Sequence, residues 1–147
     1  MMADRTIHFL GNNEATVLLS GEEAGGGYCI MEVLIQPRGG ATALHTDRWV
    51  ETFHVIEGVV EWTIEREGAL TTWLARPGET IVVSRGVKHR FAGAGDAPSR
   101  MLAIGPAEFE RFFRALAAAW VGPYDRERTP AAVGPVFEAF GMQLVTA

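Results

Sequence analysis

Residues 39–58 read GGATALHTDRWVETFHVIEG, and within a dozen positions of that stretch stand His45, Asp47, Glu51 and His54. The spacing around them is that of strand and turn. Side chains two apart on a strand share a face, so His45 and Asp47 point one way. Glu51 opens the next run on the same side as Phe53 and Val55, and His54 leaves on the opposite face. Glu57-Gly58 is a two-residue turn signal, with Val59–Arg66 following as its hairpin partner. Imidazole and carboxylate packed this densely mean a metal, a proton-transfer site or a polar surface.

The same texture extends outward. Short apolar runs (Ile7–Leu10, Thr16–Leu19, Tyr28–Ile35, Leu70–Ala75, Thr80–Val83, Phe91 and Met101–Ile104) are separated by glycine, proline and asparagine. Val60, Trp62 and Ile64 alternate with Glu61 and Glu65, the mark of a half-buried strand. Thr80–Val83 is β-branched throughout and reads as buried on both faces. Strands at this spacing predict an all-β sandwich or barrel over residues 5–105.

From Pro106 the period changes. Phe109, Phe112, Phe113, Leu116 and Trp120 recur at i, i+3, i+4, i+7 and i+11, predicting an amphipathic helix of about four turns. Gly122-Pro123 ends it. Thr129 reads as the cap and Pro130 as the opening of a second short helix, striped by Val133, Val136, Phe137 and Phe140 and closed by Gly141. Both helices of this 106–147 extension should pack outside the barrel or across a dimer. No linker or repeat divides the chain, so residues 1–147 read as one domain.

Composition narrows the partners. The net charge is −5, with 13 basic and 18 acidic residues and no basic block. Nucleic acid and anionic membrane both need a basic surface, so neither is the expected partner. No apolar run approaches a membrane span and the N-terminus lacks a signal-peptide core, so the expected location is the cytoplasm. The single cysteine, Cys29, sits in an apolar strand and reads as an inert small hydrophobe. The glycine-rich first strands and the apolar C-terminal helix offer surfaces for a homodimer.

A second polar motif completes the first. Gly78-x5-Ser84-x-Gly86-x2-His89-x3-Gly93 resembles the second motif of the cupin family, G-x5-P-x-G-x2-H-x3-N. Gly39-x5-His45-x-Asp47-x3-Glu51-x6-Gly58 resembles the first, G-x5-H-x-H-x3,4-E-x6-G. The resemblance covers roughly residues 30–105, and the helical tail is similar to that of small single-domain, quercetinase-like cupins. It implies a double-stranded β-helix, or jelly-roll barrel, with two short C-terminal helices.

The resemblance further implies a divalent metal (Fe, Mn, Ni or Zn) at His45, Asp47, Glu51 and His89, with His89 arriving from the opposite part of the barrel. Two imidazoles with one or two carboxylates suit such ions. Asp47 departs from the pattern, which has histidine there. Either it is a substituted ligand, or it points elsewhere and His45, Glu51 and His89 bind alone, or the metal has been lost. Ser84 and Gly93 also depart, at what read as turn positions.

Other residues rank below these. His8 has no partner in its strand, and His54 faces away. Trp49, Phe53, Trp62 and Trp73 line either a pocket or plain core, and Arg85 and Arg90 either hold an anionic substrate or are solvated. The glycine runs lack the strand–loop–helix context of a phosphate cradle. The activity implied is that of a metal-binding cupin acting on a small organic molecule, a dioxygenase of quercetinase type. Metal-assisted isomerisation or cyclisation, and non-enzymatic ligand binding, are the rivals.

Overall fold

The computed structural model describes residues 4–11, 13–37, 43–123 and 125–145; the Gly39-Gly40 turn lies outside them. In chain order the first strands are β1 (Thr6–Phe9), β2 (Asn13–Leu19), β3 (Cys29–Ile35), β4 (His45–Thr46), β5 (Glu51–Glu57) and β6 (Val60–Arg66). Next come β7 (Ala69–Ala75), β8 (Thr80–Val83), β9 (His89–Gly93) and β10 (Ser99–Gly105). Two helices, α1 (Ala107–Ala119) and α2 (Arg128–Ala139), and a last strand β11 (Gln143–Leu144) complete the described chain.

Alternation in sequence becomes one-sided burial. Met31, Val33 and Ile35 of β3 and Met101 and Ala103 of β10 are wholly inaccessible, while residues between them are half exposed. The strands form two antiparallel sheets, ordered β1-β2-β3-β10-β5-β8 and β11-β4-β9-β6-β7. Their inner faces enclose a core centred on Phe53, Trp62 and Phe91, whose rings lie 4.8–5.9 Å apart. Each such ring contributes roughly 1.5–3 kcal/mol through burial. The architecture is the cupin-type β-barrel with C-terminal helices.

Several expectations are corrected. Val60–Arg66 is not the hairpin partner of the preceding strand: β5 lies between β10 and β8, and β6 lies between β9 and β7. Gly58 is instead the corner where the chain changes sheets. A Cβ there would meet Ser99 Oγ at 2.7 Å, and Ser99 Oγ both donates to the Val59 carbonyl and accepts its N–H. The tight hairpin comes one strand later, with Arg66 opposite Ala69 across Glu67-Gly68. β8 is buried on one face only: Ile81 and Val83 point in, and Val82 points to the outer face of the sheet and is 58% exposed.

The tail also differs. Glu108 and Glu110 sit in the first turn of α1, where they complement the helix dipole. Its apolar stripe of Phe109, Phe112, Phe113 and Leu116 enters the open end of the barrel rather than covering its outside. Thr129 does not cap α2. It lies buried inside the first turn and accepts the Asp125 N–H, while the Asp125 carboxylate accepts the N–H groups of Glu127 and Arg128 and does the capping. β11, too short to show periodicity, pairs with β4 through Leu144 and His45.

Candidate metal centre

Two sheets and one connecting loop bring the polar cluster together. His45 on β4 and His89 on β9 are direct register partners in one sheet, with ring centroids 4.2 Å apart. His89 therefore does not come from the opposite side; Glu51, at the start of β5, is the group supplied by the other sheet. Asp47 follows β4, and its backbone carbonyl accepts the Gly86 N–H at 2.9 Å, tying the turn of the second motif to the first. All four side chains are buried, with His89 1% and His45 7% exposed.

Both imidazoles are fixed from behind. His45 Nδ1 lies 2.7 Å from the Ala43 carbonyl and His89 Nδ1 2.9 Å from the Val87 carbonyl. A carbonyl only accepts, so each Nδ1 carries the proton and each Nε2 faces inward. Asp47 lies between them: Oδ1 is 3.5 Å from His45 Nε2 and Oδ2 is 3.0 Å from His89 Nε2. Both Asp47 oxygens are buried, and the donors in reach of them are the groups of this same cluster, His89 Nε2 above all. Glu51 Oε2 is 3.4 Å from His89 Nε2, and its Oε1 accepts the Trp49 indole N–H at 2.8 Å.

The protons follow from this packing. Burial pushes the Glu51 carboxyl up to about 8, helped by the charge of Asp47. Burial acts on Asp47 in the same sense but is outweighed by the facing histidines, so its carboxyl falls below the usual range. Two carboxylates held together separate in this way. Burial and the charge of His89 lower His45 to about 4. Burial opposes charge on His89 too, yet Asp47 and Glu51 overcome it and raise that imidazole to about 10.

The donor set fits a divalent ion. Among the described residues, His45, Asp47 and His89 each offer a ligand atom within 4.8 Å of the others. A buried carboxylate stands between two imidazoles whose outer nitrogens are anchored by backbone carbonyls, and such anchoring is what orients a metal-binding histidine. Glu51, expected as a fourth ligand, lies beside this group and not within it: one oxygen is near His89 Nε2 and the other is held by Trp49.

The remaining sequence candidates fall outside. His54 is on the outer face and bonds Thr80 Oγ1 at 2.8 Å. His8 is exposed and pairs with Glu14 at 3.8 Å. Arg85 and Arg90 are exposed, and Trp73 lies under the Arg66 guanidinium. Cys29 is fully buried, its thiol pushed up to about 11 by burial while it donates to the Pro106 carbonyl. Gly93 is no turn residue: it ends β9, and a Cβ would stand 2.0 Å from the Gln36 carbonyl, which excludes the asparagine of the family motif.

The sequence reading missed the helical contribution. A small cavity of about 30 Å³ beside His45, Glu51 and His89 is walled by seven of the chain's eight phenylalanines, four of them from α1 and α2. Phe137 packs its edge on His45 at 5.2 Å. Arg48 pairs with Glu108, holding α1 against the loop that carries Asp47. The signal was the aromatic density of the tail, which periodicity assigned to ordinary packing.

Comparison with known proteins agrees with this geometry. The polyketide cyclase RemF from Streptomyces resistomycificus is similar, with 22% identity over 74% of this chain and 71% of that one, at a TM-score of 0.58. Oxalate oxidase in complex with glycolate shares 25% identity over 64% of this chain and half of its own, at 0.54. A cupin-like protein from Thermotoga maritima aligns over 89% of this chain and 90% of that one, with 16% identity and a TM-score of 0.56. At such identities the likeness is one of fold. A search of curated proteins gives no match. The family model described as Cupin domain matches residues 31–105, more than half of the sequence and the span holding all four polar residues, so the chain belongs to the cupin family.

Proposed function

We propose that this chain is a metal-dependent enzyme that acts on a small organic molecule, with dioxygen as co-substrate. The observation that carries the reading is the buried Asp47 carboxylate set between two inward-facing Nε2 atoms, 3.5 Å from that of His45 and 3.0 Å from that of His89. His45, Asp47 and His89 would hold the ion, giving the two-His-one-carboxylate set suited to non-haem iron chemistry. Asp47 thus takes a ligand place, and Glu51 stands beside the set as a fourth ligand or proton carrier. An Fe, Mn, Ni or Zn ion bound there supplies Lewis-acid polarisation of substrate oxygens and a template for their orientation.

The residues of the chain do the rest. The phenylalanine walls enclose a small, mainly apolar space beside the donors. Glu51 retains its proton at neutral pH through burial and can exchange it with a substrate oxygen or carbon, while Trp49 fixes its orientation. The Ala43 and Val87 carbonyls hold the two rings in a single tautomer.

Metal content and oxygen dependence test this reading. Protein purified without added metal should carry about one transition-metal ion per chain. With a flavonol as trial substrate, oxygen uptake should match substrate loss. Absence of metal would contradict the reading. The protonated, buried Glu51 favours a second one, metal-assisted isomerisation or cyclisation, and equal turnover with and without oxygen would select it. A homodimer is the proposed assembly, with exposed Leu70, Leu74 and Val82 on sheet surfaces as candidate contacts. Light scattering giving a monomer would exclude it.

A further inference from the structure

The chamber beside the donors is too small for the substrate that the proposed function requires. At about 30 Å³ it has room for roughly two water molecules. A second cavity of about 570 Å³ lies between β1 and the C-terminal turns of α1, lined by Ile7, Ala117, Trp120 and Val121 among others. That volume is within the range of small-molecule sites. Phe9 and Leu10 line both spaces, so the wall between them is one residue thick.

The wall has an unusual backbone. Leu10 is buried, yet its φ is +39°, a left-handed conformation that a leucine adopts at a cost. Asn13, itself fully buried, holds it there by donating Nδ2 to the Leu10 carbonyl at 3.1 Å. Phe9 completes the partition by packing edge-on against Phe113 at 4.6 Å. The opposite side of the chamber is thicker, since Phe137 is backed by Phe112 and Phe112 by Phe140.

We propose that the β1–α1 groove is the vestibule in which the substrate body binds, and that Leu10 is the gate into the donor chamber. The ligand class is an uncharged, mainly apolar small molecule. Of the basic side chains on the groove wall, Arg114 is already committed to Glu110 and to the Asp4 carbonyl and His8 faces Glu14, while Trp120 and Val121 present apolar surface. An anionic body finds no such match there. The route rests on the proposed function for the chemistry that follows entry, not for the passage itself.

A chamber thiol reports the passage without any metal. In metal-free protein carrying Leu116→Cys, labelling by the uncharged, flat reagent monobromobimane is followed by fluorescence, with peptide mapping to separate Cys29. Adding Leu10→Ala should raise the rate at least about tenfold, as for loss of a gate. Ala117→Trp, which fills the groove, should reverse the gain. An anionic methanethiosulfonate should profit less than monobromobimane. Leu10→Gly, which accepts the same φ without strain, gives a second gate variant should the alanine protein not fold. Rates unchanged in both gate variants would overturn the proposal, as would acceleration by Phe137→Ala alone. Failure to bind metal would defeat the proposed function and leave these rates to decide the route.

Discussion

The indole N–H of Trp49 donates to Glu51 Oε1 at 2.8 Å, so the group with the most displaced carboxyl proton is oriented by a neighbour two residues away. Replacing Trp49 with phenylalanine keeps an aromatic body and removes the donor. The variant should lose about 1–3 kcal/mol of stability in urea titration, the cost of a buried bond left unmade. A donor to a carboxylate favours its anion, so the Glu51 carboxyl, followed by carbon NMR, should titrate higher than in the parent. An unmoved titration would show that Trp49 is mere packing.

The metal-free protein should lose stability as pH rises from 7 to 10. Both His89, at about 10, and Glu51, at about 8, hold protons more tightly folded than unfolded. Their contributions are complete below the unfolded values, about 6.5 and 4.5, and are lost as pH passes through the folded ones. His45, lowered to about 4, acts in the other direction, and its contribution disappears as pH falls from 6.5 toward 4. Thermal melts of chelator-treated protein should therefore be highest between about pH 4.5 and 6.5, where the Glu51 and His45 contributions offset each other, and fall steadily from there to pH 10. A melting temperature still rising between pH 8 and 10 would contradict the assignment of these protons.

Metal should reverse that slope. A bound ion needs neutral imidazoles, so binding at pH 7 releases the His89 proton, about one per ion, with a second released only where Glu51 serves as the fourth ligand. Calorimetry in two buffers of different ionisation enthalpy measures the number directly. Binding without proton release would mean that His89 is already deprotonated.

Gly93→Ala places a Cβ 2.0 Å from the Gln36 carbonyl oxygen. Backbone must move to relieve the contact, and overpacking of this kind costs about 1–3 kcal/mol. The melting temperature should fall, and because Gly93 ends the strand that begins with His89, metal affinity should fall with it. An unchanged melt would show that β9 yields freely.

The four polar residues were legible through the resemblance of the two motifs to the cupin pattern, and strand alternation agreed with it on shared faces: His45 with Asp47, and Glu51 with Phe53 but not His54. Their mutual positions were not. Glu57-Gly58 has the chemistry of a hairpin, and nothing local distinguishes a hairpin from a corner between sheets; the close approach of Ser99, 41 positions further on, makes that choice. His89 was placed on the wrong side for the same reason, since register between β4 and β9 is a long-range property. Phe109 and Phe137 were legible as apolar stripes but not as chamber walls, because periodicity tells which face of a helix is buried and not what it is buried against. Val82 was misjudged because β-branched composition does not distinguish a strand buried on one face from a strand buried on both.

Asp47 carries the central claim, and its metal content tests it most directly. Asp47→Asn keeps the shape and removes the charge, while Glu51→Gln does the same at the neighbouring carboxyl. With folding confirmed by circular dichroism, metal titration of both variants and the parent should give one tight site in the parent. Glu51→Gln should retain the site, weakened by no more than the 10–100-fold typical of a supporting group, and Asp47→Asn should lose affinity beyond about 100-fold. Tight binding in Asp47→Asn together with loss in Glu51→Gln would contradict the account.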